Sequence, residues 1–168
     1  MTAVLEDAFR HHTWATLKVL DTCRGLSKQQ LTASVEGIYG TILETLRHLV
    51  GADAWYLFVL SDGGVDRIDE DALDLDELQA VAARHTDAWD DVLRARRDPD
   101  EDIVVRRDDG SEGYATAGIR LAQVIHHGTD HRSQICTALT ALGHEPPEID
   151  VWAYGEAVGR SFDRAAPA

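Results

Sequence analysis

Between Thr41 and Leu60 the chain carries a helical pattern that is apolar on two sides at once. One stripe runs Ile42, Leu46, Leu49, Val50, Asp53, Leu57 and Leu60; the other side carries Ala52, Trp55 and Val59. A helix of this kind cannot rest one face on a core and leave the other to water, and it normally lies centrally in a bundle. The fold must therefore supply enough other helices to cover it.

The rest of the chain supplies them. In the first segment Leu5, Ala8, Phe9, His12, Ala15, Thr16, Val19 and Cys23 share a stripe, which predicts an amphipathic helix over about residues 3–24, ended by Gly25. Ser27 resembles an N-cap for the short piece 28–31. After Gly63-Gly64 and an acidic linker, Asp74 or Asp76 starts a third helix over about 75–97, with Leu78, Val81, Ala82, His85, Trp89, Val92 and Leu93 inward and Asp98-Pro99 as its stop. Residues 103–107 and 114–117, separated by Asp108-Asp109-Gly110, read as a short hairpin. A fourth helix covers about 119–142, with Leu121, Val124, Ile125, Gly128, Ile135, Leu139 and Leu142 on its stripe, capped by Gly143 and kept from continuing by Pro146-Pro147. Asp150 opens a last short helix to about residue 160, and the tail past Phe162 is expected to fray. Four long helices of this length distribution predict an all-α, up-and-down or crossover four-helix bundle, with residues 1–168 forming one domain.

Composition narrows what such a bundle can do. Of 168 residues 44% are hydrophobic and 27% charged, as in a soluble globular protein. The apolar stretches fall short of the ~20 residues needed to span a bilayer. The first residues have neither the basic nor the apolar region of a signal peptide, so a cytoplasmic location is expected. A formal charge of -14 repels polyanions, which argues against nucleic acid as a partner and modestly against a bulky polyanionic substrate. The acidic runs at 69–77, 98–102 and 108–112 read as solvated loops and helix starts. Cys23 and Cys136 match no paired-thiol or zinc-ribbon spacing and read as small buried hydrophobes.

His127 and His131 are the residues that promise chemistry. Four residues apart, they project side by side from the fourth helix, about 6 Å apart along its axis, whereas His126 points nearly the opposite way. His48, on the second side of the central helix, can add a third imidazole. Neutral imidazole suits Zn, Ni, Cu and Fe(II), and three protein ligands leave one position open for water or substrate. Periodicity alone leaves the bland alternatives standing: His48 as a packed or surface residue, and the pair as histidines with no ion.

Longer motifs tie these residues to a known group. Thr45-Leu46-Arg47-His48-Leu49-Val50-Gly51-Ala52-Asp53-Ala54-Trp55 resembles the second-helix motif of the DinB/YfiT-like metalloenzymes. His127-Gly128-Thr129-Asp130-His131-Arg132-Ser133-Gln134 resembles their fourth-helix motif, with Ser133 where Gly is usual. Residues 142–150, with Tyr154 beyond, are similar to the closing segment. The resemblance spans nearly the whole chain and implies an up-down-down-up bundle in which His48, His127 and His131 hold a divalent metal, Zn or Ni first and Fe or Mn as alternatives. In the first helix, His12 and Thr16 stand where the family motif usually carries Asn. His12 faces the interior and is a fourth ligand, an acid–base group or a hydrogen-bonded core histidine.

Relatives of this kind include enzymes that use mycothiol or bacillithiol in S-transfer or isomerisation, where the metal holds the thiolate, and others regarded as metal-dependent hydrolases. The resemblance therefore implies an S-transferase acting on a small molecule with a low-molecular-weight thiol. The alternatives are a hydrolase and a non-catalytic, metal-stabilised bundle or dimerisation module, and a homodimer is expected in either case. Several polar residues bear on the choice. Gln134 can orient a metal-bound water, or be an exposed amide at the bundle edge. Glu44 can accept the second N–H of His48, or pair with Arg47. Asp53 and Arg132 lie on apolar stripes, which is costly unless they are paired, so they are expected to meet across the second and fourth helices. His85 and His144 are taken as non-catalytic, and Trp14, Trp55, Trp89 and Trp152 as core or interface residues.

Overall fold

The structure, a computed structural model, describes residues 3–164. The tail expected to fray lies, from residue 165 on, outside the described residues. The described chain is mostly helical, with one two-stranded sheet.

The long elements are α1 (Ala3–Cys23), α3 (Ile42–Leu60), α4 (Leu75–Arg94) and α5 (Ala117–Ala141); the short ones are α2 (Lys28–Leu31) and α6 (Val151–Ala157). Side-chain caps set most of the starts. Ser27, Thr41 and Asp74 each accept from the third backbone N–H of their helix, while Gln30, Glu44 and Glu77 reach back to the cap. Of the two candidate starts for α4, Asp74 is the one used. Thr116 and Asp150 cap α5 and α6 in the simpler, one-way manner.

Ends are where the sequence misleads. Helix α4 stops at Arg94, ahead of the Asp98-Pro99 signal, and Arg96 takes a left-handed φ of 51° that no helix continues. The hairpin is present, with β1 (Asp102–Arg106) pairing antiparallel to β2 (Glu112–Thr116). Ala117, expected in its second strand, is already the first residue of α5. Helix α6 ends at Ala157, short of the expected 160.

Helix α1 packs on α4 and α5, and α3 packs on the same two. Arg10 meets Asp90 and Arg24 meets Asp76, so α1 and α4 are antiparallel. Arg47 reaches Leu73 and Asp53 reaches His85, so α3 runs parallel to α4. His48 meets His127 and Trp55 meets Arg120, so α3 opposes α5. Phe9 clusters with Leu121 and Val124, and Cys23 with Ile135 and Leu139, so α1 and α5 are parallel.

The apolar interior is in two parts. Val19, Leu20, Leu46, Leu49, Val50, Leu78, Ile135 and Leu139 fill one end; Phe9, Leu57, Leu60, Trp89, Leu93 and Val124 fill the other. Each such side chain is worth about 1.5–3 kcal/mol when fully buried. Between the two lies a buried polar layer of His12, Thr16, Asp53, His85 and Arg132. The candidate site sits at the same level, on the α3–α5 side. Trp89 is core as expected, whereas Trp152 is 73% exposed. Cys23 is fully buried and Cys136 half-buried, both as free thiols.

Candidate metal centre

Three imidazoles from two helices converge. One ring nitrogen from each of His48, His127 and His131 lies within 4.8 Å of the other two. The rings of His48 and His127 have centroids 5.0 Å apart, those of His48 and His131 4.9 Å, and those of His127 and His131 4.4 Å. The i, i+4 spacing on α5 aligns the last pair, and antiparallel packing brings α3 to deliver His48 opposite them. His126 is exposed on the far side of α5, as its position dictates.

The arrangement fits a divalent ion. His48 Nε2 and His127 Nε2 are 3.1 Å apart. Two nitrogens bound tetrahedrally to one zinc at ~2.0–2.1 Å stand about 3.3 Å apart, so this pair requires little adjustment. His131 Nδ1 is 3.0 Å from Gln134 Oε1 and donates to it, which turns Nε2, with its lone pair, toward the other rings. Burial favours the unprotonated form of the α5 pair. Burial, then the neighbouring His131 and His48, bring His127 down from 6.5 to about 4. Burial likewise lowers His131, against the opposing pull of Gln134.

The surroundings correct several expectations. Glu44 does not serve His48: it caps its own helix, accepting from the Thr41 N–H at 2.8 Å. Nor does Arg47 pair with it, since its Nε donates to Leu73 O at 2.9 Å. The carboxylate nearest His48 is Glu70, in a 3₁₀ turn over Glu70–Ala72, with Oε1 3.7 Å from Nδ1. Gln134 stands beside the cluster, its Oε1 accepting from both His131 and the Tyr39 N–H. Tyr39 covers the cluster from outside, stacked on His48 at 4.3 Å and edge-on to His131. Tyr39 and Glu70 lie in loops, where no periodic signal could single them out.

The DinB family profile matches residues 1–161. The chain belongs to the DinB family. No curated protein matches it. Among the described residues no helix is long and apolar enough to cross a membrane.

The departures of this chain from the DinB first-helix motif act together. His12 Nδ1 and Thr16 Oγ1 each accept from Arg132 NH1 at 3.1 Å, and His12 Nε2 donates to Asp53 Oδ1, also at 3.1 Å. Both ring nitrogens of His12 are thus engaged, and the residue is the hydrogen-bonded core histidine among its three readings. Asp53 and Arg132 do not meet directly as expected; the His12 ring stands between them. Asp53 also accepts from His85 Nδ1 at 2.7 Å and from the Trp89 indole at 3.1 Å. Burial alone would raise the Asp53 carboxyl, but electrostatic attraction and hydrogen bonds from the N–H groups of His12 and His85 hold it below the usual carboxylate range. Burial lowers the Arg132 guanidinium to about 10, with Asp53 opposing, so it remains charged at neutral pH. Gly128, beside His127, makes this layer possible: a Cβ there would meet the His12 ring at 2.4 Å.

Proposed function

We propose that this DinB-family chain binds one divalent metal through His48, His127 and His131, and that it is an enzyme of the thiol S-transferase type acting on a small molecule. The observation that supports this most strongly is the convergence of three imidazoles with no fourth ligand in the cluster among the described residues. A bound metal in such a site lowers the pKa of a coordinated thiol or water. The chain's own part is to hold the rings: Gln134 fixes the His131 tautomer, and Tyr39 shields one side. Zn or Ni suits the donor set best, with Fe or Mn as alternatives. The charge of -14 supports a small substrate over a polyanion, and a cytoplasmic setting supplies low-molecular-weight thiols. The order in which the long helices pair supports an up-down-down-up four-helix bundle formed by the chain as one domain. Two such chains pair as a homodimer.

One observation favours a second reading, a metal site without turnover. Cavities of about 480, 500 and 490 Å³ are lined by residues other than the three histidines. A single experiment separates the readings: elemental analysis of protein purified without an affinity tag, followed by an assay of electrophile consumption with mycothiol, bacillithiol and other small thiols. The expected result is equimolar metal, largely lost in His127→Ala, and thiol consumption that follows metal content. Full loading with no consumption of any thiol rejects S-transfer and leaves a hydrolase or a non-catalytic site. Absence of metal in wild type after loading rejects both.

A further inference from the structure

We infer that Glu70 is a positioning residue for the metal centre, acting through His48; the inference rests on the metal reading above. If His48 ligates through Nε2, the atom that faces His127, its Nδ1–H is left pointing outward. Metal-bound histidines almost always give that second N–H to a carboxylate, carbonyl or water, which fixes the ring and makes it a better donor. Glu70 Oε1 stands 3.7 Å from Nδ1. That is several tenths of an ångström beyond hydrogen-bond length, a gap that a torsional adjustment of the partly exposed Glu70 side chain can close.

The backbone is arranged to bring this carboxylate in. Glu70 belongs to the connection between α3 and α4, and the same connection is tied back to α3 by the Arg47–Leu73 hydrogen bond. Its side chain then lies directly on Gly51, one turn beyond His48. A Cβ at Gly51 would fall 1.6 Å from Glu70 Oε2 and 2.8 Å from Glu70 Cβ, so any larger residue there displaces Glu70. Glycine inside a helix is unfavourable on its own. Here it leaves room for a loop carboxylate to approach the outer nitrogen of His48. On the other helix, the outer nitrogen of His131 already has such a partner in the side-chain oxygen of Gln134.

The test measures Zn(II) affinity by competition with a chromophoric chelator, together with Co(II) absorption spectra, on wild type, Glu70→Ala, Glu70→Gln, Gly51→Ala and the Gly51→Ala/Glu70→Ala double variant. Glu44→Ala is the control. Glu70→Ala is expected to weaken Zn(II) binding about 10–100-fold, with the metal-free melting temperature unchanged because Glu70 is not part of the core. Glu70→Gln, which keeps an acceptor, falls between wild type and Glu70→Ala. Gly51→Ala alone reproduces the loss, and the double variant is no weaker than Glu70→Ala, since both changes remove the same contact. Affinity within about twofold of wild type in Glu70→Ala, against the loss expected of a second-sphere partner, overturns the inference and leaves the three-histidine site standing. Wild type that takes up no Zn(II) overturns both.

Discussion

Asp53 is the residue on which most of the interior converges. Its carboxylate receives donors from α1 and α4 while itself standing on α3, and through His12 it is linked to the guanidinium of Arg132 on α5. Arg132 is 2% exposed, and Asp53, linked to it through His12, is the carboxylate that balances its charge. Removing that charge strands a buried cation, which typically costs about 3–5 kcal/mol. Asp53→Ala is therefore expected to lower the unfolding free energy by about that amount in urea denaturation. A loss under about 1 kcal/mol would mean that the layer tolerates an unbalanced charge. The sequence announced this partly: an acid and an arginine on apolar stripes had to be compensated. It did not reveal the intermediary, because His12 and Asp53 lie 41 positions apart and only the packing of α1 against α3 and α5 puts the ring between them.

At the level of elements, periodicity located all four long helices, and with them the three clustered histidines, because a side chain's direction on a helix follows from its position. Loops have no such rule. Tyr39 and Glu70 were invisible for that reason, although Gly51, a glycine in mid-helix one turn beyond His48, was a mark of close approach that could have been read. The end of α4 was missed because the chain turns left-handed at Arg96 before proline acts. Helix α5 has a further property at this scale. It carries a single acid, Asp130, in a chain with 30, and its outer side exposes Ala122, His126, Thr129, Ser133 and Thr137. Beside that side lies a cavity of about 490 Å³ lined by Ala8, Ile125, Cys136, Ile149 and Val151, with Trp152 exposed nearby. A second copy docking on this side would face few acids, Asp130 on the helix and Asp150 at the cavity. Light scattering is expected to give a dimer that Thr129→Arg converts to monomer; monomeric wild type at micromolar concentration refutes this.

For the whole molecule, protonation of the histidines sets a pH dependence. Above 6.5 His127 is neutral both folded and unfolded, so it imposes no penalty. As pH falls below 6.5 the unfolded chain takes a proton that the folded site refuses until about 4, and stability declines across that window. His131 and His11, lowered chiefly by burial, act in the same direction. Urea midpoints of chelator-treated protein should fall steadily from pH 6.5 toward pH 4, less steeply in His127→Gln; a flat profile in wild type would contradict the burial of these rings. The triad has one more consequence. His48 and His127 are separated by 79 positions, with the whole of α4 and the hairpin between them. A chain still emerging from the ribosome, or clipped ahead of α5, holds only one of the three triad imidazoles, and α5 by itself holds only two. On the metal reading proposed above, three-ring capture is thereby reserved for the finished tertiary structure, the only state in which all three side chains stand together.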